Sequence, residues 1–189
     1  MLKQIINILI YLIVGSLIYF YLYDHFYYNP TKSLAVGHYF TYKNSHYIHN
    51  DIVLFCLDTN KHLQYLKDLE LLHLPYISDN AIPIKNICNN EFTYLLKHIV
   101  ASSGDIVEIK QSRVFINNKI VAHSLIKKIV VHNNKTINLH SNNILKVRLK
   151  SNQYFVMGNS DDSYDSRYFG IIDNTNIYRK AIYMFHVKP

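Results

Sequence analysis

Nineteen consecutive residues without a charge, from about Ile5 to Tyr23, constrain this chain more than any other feature. An α-helix needs roughly 20 apolar residues to cross a bilayer, so the run predicts one membrane-spanning helix. Tyrosines crowd its far end, where an aromatic belt meets the lipid–water interface. Lys3 and the amino terminus precede the run and Asp24 follows it. The positive-inside rule then places residues 1–4 in the cytoplasm and residues 24–189 outside. A cleaved signal peptide is the rival reading, but the run is long and no Ala-x-Ala-like site follows. In a bacterium the expectation is a single-pass inner-membrane protein with a periplasmic body.

The 189 residues leave enough chain beyond the anchor for one domain with a core. The net charge is +7. The basic residues are scattered rather than massed in a Lys/Arg run, which fits a surface near lipid headgroups better than a nucleic-acid site. The body reads as mostly β. Asp51–Cys56 reads as a short buried strand, and Thr59 to about Leu74 as an amphipathic helix with leucines at three- and four-residue steps. Residues 74–90 read as a loop, and 91–99 fit a helix or a strand. Further strands are expected at 106–109, 113–116, 119–122, 154–157 and 177–185. Asn117-Asn118 suits a tight hairpin turn because Asn tolerates positive φ. Asn133-Asn134 and Asn142-Asn143 mark further turns.

Three polar blocks carry the candidate chemistry. The first is Asn29-Pro30-Thr31-Lys32-Ser33-Leu34-Ala35-Val36-Gly37-His38-Tyr39, about ten residues beyond the apolar run. The second opens at Lys97 and closes at Gly104-Asp105. The third runs from Gly158-Asn159 through Ser163, Asp165 and Arg167 to Gly170. Four of the five glycines fall in or beside these blocks, where backbone must turn sharply. Ser33 needs a base to become a nucleophile. The chain has no Gly-x-Ser-x-Gly elbow, and its eleven histidines show no His-Glu-x-x-His spacing. No metal or other cofactor is expected. Lys97 suits the base, because apolar neighbours on both sides lower a lysine pKa by desolvation.

These blocks resemble the type I signal peptidase superfamily of serine–lysine proteases (peptidase family S26), and most closely its conjugative-transfer, TraF-like branch. Asn29, Thr31, Ser33, Gly37 and Tyr39 match that branch's Asn-x-Thr-x-Ser-x-Pro-x-Gly-x-Tyr. Asn50-Asp51-Ile52-Val53 resembles its Gly-Asp-Ile-Val strand. Lys97 to Asp105 resembles the general-base block, and Gly158 to Gly170 the closing box. Ala35 and Ser103 stand where Pro is usual, and Asn50 where Gly is.

The resemblance implies a fold of two antiparallel β-sheets with a short helical insert, after one N-terminal transmembrane helix. It implies a serine endopeptidase with Ser33 as nucleophile and Lys97 as base. Thr31 would serve the oxyanion and Ser163 would orient the lysine. Asp165, Arg167, Gly104 and Asp105 would support the site. It also implies a Cys56–Cys88 disulfide bounding an insert at 57–90. The expected partners are membrane lipid and a precursor protein, with a conjugation or type IV secretion pilin as first choice and its cyclisation left open. The conjugation or secretion machinery itself is a further possible partner. A general signal peptidase and a non-catalytic membrane-tethered scaffold are the alternatives.

Overall fold

The computed structural model describes residues 2–58, 92–132, 135–139 and 144–186. The apolar run forms α1 (Leu2–His25), two residues longer at its end than the uncharged stretch. Its 24 residues span about 36 Å at ~1.5 Å per residue, enough for a bilayer core of roughly 30 Å. The span is apolar and exposed along its length, as suits a helix whose solvent is lipid. The chain passes from α1 straight into β1 (Phe26–Asn29) without an intervening loop.

The remaining strands are β2 (Gly37–Tyr42), β3 (Ile52–Asp58), β4 (Phe92–Ala101), β5 (Ile106–Lys110), β6 (Arg113–Ile116) and β7 (Lys119–Ile120), followed by β8 (Ile129–His132), β9 (Lys135–Asn138), β10 (Lys146–Arg148), β11 (Gln153–Met157), β12 (Ile172–Asp173) and β13 (Ile177–Phe185). One sheet has the order β1-β2-β13-β3-β4-β11-β12 and the second β10-β5-β6-β7, with every pair antiparallel. A ribbon of β8 and β9 stands beside them. A short helix α2 (Ser166–Phe169) follows β11. The expected fold of two antiparallel sheets is present.

The central strands are buried on both faces, which is why they read as unbroken apolar runs. Along β3, Val53, Phe55 and Leu57 face one core, shared with Leu95, Ile99, Tyr154 and Val156. Leu54 faces another core with Leu34, Tyr39, Leu96 and Ala181. On β11, Phe155 and Met157 turn away from Val156 to join Val107 and Val114 of the second sheet, and Leu149 just after β10. Residues 92–101, ambiguous in sequence, are a strand because seven register pairs tie β4 to β3, from Ile52↔His98 to Asp58↔Phe92.

Asn117 and Asn118 take φ of 51° and 66° between Ile116 and its partner Lys119, so they form the expected two-residue turn. Asn50 has φ of 70°, the left-handed conformation that explains a glycine-like position. The helix expected at 59–74, the loop at 74–90 and the turns at 133–134 and 142–143 lie outside the described residues.

Candidate active site

Ser33 lies in the turn between β1 and β2, half-buried, with exposed Lys32 before it and buried Leu34 after it. Leu34 belongs to the core that includes Leu54 and Leu96, so the turn packs against β3 and β4. The upstream residues of the block form one hydrogen-bonded unit. Thr31 Oγ1 donates to Asn29 Oδ1 at 2.8 Å and lies 2.9 Å from Ser33 Oγ. Thr31 has one hydroxyl proton, committed to Asn29, so Ser33 is the donor in the Thr31–Ser33 bond. As placed, Thr31 orients Ser33. It donates to an oxyanion only by releasing Asn29. Asn29 is buried, and its Nδ2 donates to the carbonyls of Thr31 (3.0 Å) and Ala35 (3.2 Å). Tyr39 fixes the far side by donating its hydroxyl to the Ala35 carbonyl at 2.7 Å.

Lys97 sits mid-way along β4 with only 3% of its surface exposed. Val53 is its cross-strand partner, and Leu95 and Ile99, two residues to either side on the same face, are core residues. Burial is the main cause of a Lys97 pKa lowered from 10.5 to about 8. Asp165 opposes that shift and Arg167 reinforces it. Leu96 and His98 point to the opposite face and contribute nothing to this surrounding.

The third block reaches the same place through β11. Met157 pairs with His98, so the next residue, Gly158, is in line with Lys97. Asn159 N donates to the Ser33 carbonyl at 2.7 Å, tying the Ser33 turn to the end of β11. A Cβ at Gly158 would lie 2.3 Å from Ser163 Oγ and 2.8 Å from the Ser33 carbonyl oxygen, so only glycine lets Ser163 and Ser33 approach this closely. Ser163 Oγ is buried and, among the described residues, has no hydrogen-bond partner. Such a group costs about 1–3 kcal/mol unless something engages it.

Asp165 and Arg167 are fully buried and paired through two 2.8 Å bonds, Nε to Oδ1 and Nη2 to Oδ2. Arg167 also donates to the carbonyls of His123, Leu125, Ser160, Asp161 and Ser163. Asp165 Oδ2 accepts from Gly158 N at 3.0 Å. The pair thereby fixes the backbone at Gly158 and Ser163. Gly104 and Asp105 belong elsewhere. Asp105 accepts from Ser102 N and Asn117 Nδ2, and Gly104 N donates to Leu149 O, so both shape the β4–β5 turn. Cys56 is on β3, and its expected partner Cys88 lies outside the described residues.

The sequence reading assigned no role to Asn29, Gly158 or Asn159. Asn29 has a local signal, an Asx residue two positions before Thr31. The other two act through contacts across the sheet. Between α1 and the Ser33 turn runs an apolar edge. Phe26 packs on Phe40 at 5.8 Å and His38 on Phe185 at 5.1 Å. Ile182, Tyr183, Met184 and Phe185 are each 40–49% exposed.

Comparison with protein families gives a match over residues 1–186 to the family described as signal peptidase, peptidase S26. A comparison with curated proteins found no match. Among solved structures, the chain is similar to a signal peptidase I from Enterococcus faecalis V583. The identity is 18% and the TM-score 0.37, over 73% of this chain and 98% of that one.

Proposed function

The chain belongs to the signal peptidase family, peptidase S26, and from that premise we propose that it is a membrane-anchored endopeptidase using Ser33 as nucleophile and Lys97 as general base. The family supports a serine peptidase acting on precursor proteins, and together with the apolar helix α1 suggests a membrane-anchored protein. The observation that carries the residue assignment is a buried lysine with a pKa lowered to about 8, in a strand whose neighbour β11 leads into Asn159, which donates to the Ser33 carbonyl.

With a pKa of about 8, roughly one Lys97 in ten is neutral at pH 7. The neutral amine takes the Ser33 proton once that hydroxyl turns from Thr31. Ser33 Oγ then attacks the scissile carbonyl to give an acyl-enzyme, and the proton passes from Lys97 to the leaving amine. The Ser33 backbone N–H is the oxyanion donor, with Thr31 joining it on releasing Asn29. Ser163 Oγ, buried and without a hydrogen-bond partner among the described residues, is available to accept from the Lys97 amine and so to orient it. Water releases the acyl product.

For the substrate, the resemblance of the Asn29-x-Thr31-x-Ser33 block to the conjugative-transfer branch supports a conjugative or type IV secretion pilin precursor. A periplasmic domain on an inner-membrane anchor, with a Cys56–Cys88 disulfide bounding the insert, belongs to the same proposal. The pairing is checked by an intact mass two hydrogens below that of the reduced chain.

The test is mass spectrometry of a candidate pilin precursor co-expressed with the protein or with its Ser33→Ala variant. Leader removal only with Ser33 present is expected, and a further loss of one water would mark ring closure. A pilin left uncut while general secretory precursors are trimmed would assign the chain to general secretion. No cleavage of either would contradict the peptidase.

A further inference from the structure

The end of α1 is held by the domain in a way that the Ser33 site does not require. A helix leaves its last four carbonyls without partners inside the helix. Here two of them are bonded by side chains of the large sheet. Arg179 Nη1 donates to the Asp24 carbonyl, and Thr41 Oγ1 donates to the His25 carbonyl at 3.0 Å. Arg179 Nη2 also pairs with the Asp24 carboxylate, and Nη1 reaches Thr41 Oγ1 at 3.4 Å. Thr41 on β2 and Ala181 on β13 are register partners, so the two donors stand on adjacent strands.

The Arg179 side chain is 6% exposed, whereas that of Asp24 is 56% exposed. A surface pair of long side chains contributes little, but a buried guanidinium that binds a carboxylate and a carbonyl together is geometrically fixed. The charge is also well placed. A carboxylate at a helix C-terminus is unfavourable against the helix dipole, and a cation there is favourable. The His25 ring adds a stacking contact to Phe40 of β2 at 5.6 Å. Because β1 follows α1 directly, no linker separates the anchor from the sheet. The Ser33 turn stands beyond the four residues of β1, about 13 Å farther along at ~3.3 Å per residue.

We propose that Arg179 is a positioning residue: its clamp on Asp24, with Thr41 on His25, fixes the height and tilt of the Ser33 site relative to the membrane helix, and thereby selects which bond of a membrane-inserted precursor is cut. The substrate consequence rests on the peptidase reading; the clamp itself does not.

The experiment uses the full chain in phosphatidylcholine–phosphatidylglycerol liposomes, with Arg179→Ala, Arg179→Lys and Asp24→Asn beside wild type. Asp24→Asn changes an exposed carboxylate and tests the clamp even where Arg179→Ala fails to fold. Each protein is given a membrane-inserted precursor and a short soluble peptide with the same scissile bond. For Arg179→Ala, precursor cleavage should fall about ten-fold with new products cut at neighbouring bonds, while peptide cleavage stays within about two-fold. Arg179→Lys should recover part of the loss, and Asp24→Asn should shift the precursor-to-peptide ratio in the same direction. Equal losses on both substrates, or no change with a single product, would overturn the proposal. Should wild type cut neither substrate, the peptidase reading fails and a second readout still decides the clamp. A fluorescent amino acid replacing Ser45 reports energy transfer to headgroup dyes. One narrow distance in wild type that broadens in Arg179→Ala supports the clamp; identical distributions exclude it.

Discussion

The Asp165–Arg167 ion pair and the residues Lys97 and Ser163 are all buried and polar, yet they are satisfied very differently. Every donor of the Arg167 guanidinium has an acceptor, and Asp165 accepts from Arg167 and from the Gly158 backbone. Lys97 instead sits among apolar side chains, and Ser163 Oγ has no partner among the described residues. The first pair is a brace whose charges cancel locally. Lys97 and Ser163 are buried at a cost in stability. The brace keeps the costly groups in place, since Arg167 grips the Ser163 carbonyl and Asp165 the Gly158 amide.

The contrast can be broken from either side. Arg167→Ala leaves a buried, unpaired Asp165 and five carbonyls without their donor. Loss of a partner from a buried ion pair costs about 3–5 kcal/mol, so chemical denaturation should show a midpoint lowered accordingly or no folded protein. A cost under ~1 kcal/mol would mean that the brace is not one.

Lys97→Met should act in the opposite direction on stability while abolishing cleavage. The folded pKa of about 8 lies below the unfolded value of 10.5. Between them the unfolded chain holds a proton that the folded chain does not, so wild-type stability rises with pH across that window. Below pH 8 the buried ammonium costs wild type about 3 kcal/mol, which the methionine variant is spared. The variant's advantage should be full at pH 7 and shrink from pH 8 towards 10.5. An advantage that is constant with pH would place Lys97 in a solvated environment.

Gly158→Ala should give the smallest change in stability. Its methyl meets Ser163 Oγ at 2.3 Å, and overpacking of this kind costs about 1–3 kcal/mol. Its effect on cleavage should exceed that of a remote substitution of equal stability cost, because Ser163 and the Ser33 carbonyl must both shift. Comparison with a variant matched in melting temperature checks this.

How much of this was legible in the sequence follows the range of each interaction. The membrane helix is a property of local hydropathy, and β3 and β11 are apolar runs bounded by turn residues; these could be read directly. The strands β1 and β2 were not assigned. Phe26, Tyr27 and Tyr28, or Tyr39, Phe40 and Tyr42, place aromatic residues on both faces at a sheet edge and so hide the two-residue period. Ser33, Lys97, Ser163 and Arg167 stood out through block motifs, but their connections did not. The Arg167 bonds to the carbonyls of His123 and Leu125 cross more than forty positions, and the Asp24–Arg179 clamp crosses 155. The commitment of the Thr31 proton to Asn29 needed coordinates as well, although the residues are only two apart.

The central claim is that Ser33 is activated by a neutral Lys97. It is tested most directly by treating the full chain with an activated peptide ester, quenching in acid, and locating the acyl group by mass spectrometry across a pH series. The account predicts acylation on the Ser33 fragment, rising about ten-fold per pH unit below pH 8 and levelling above it, and absent in Lys97→Ala. Acylation at another residue, or an equal rate in Lys97→Ala, would contradict it.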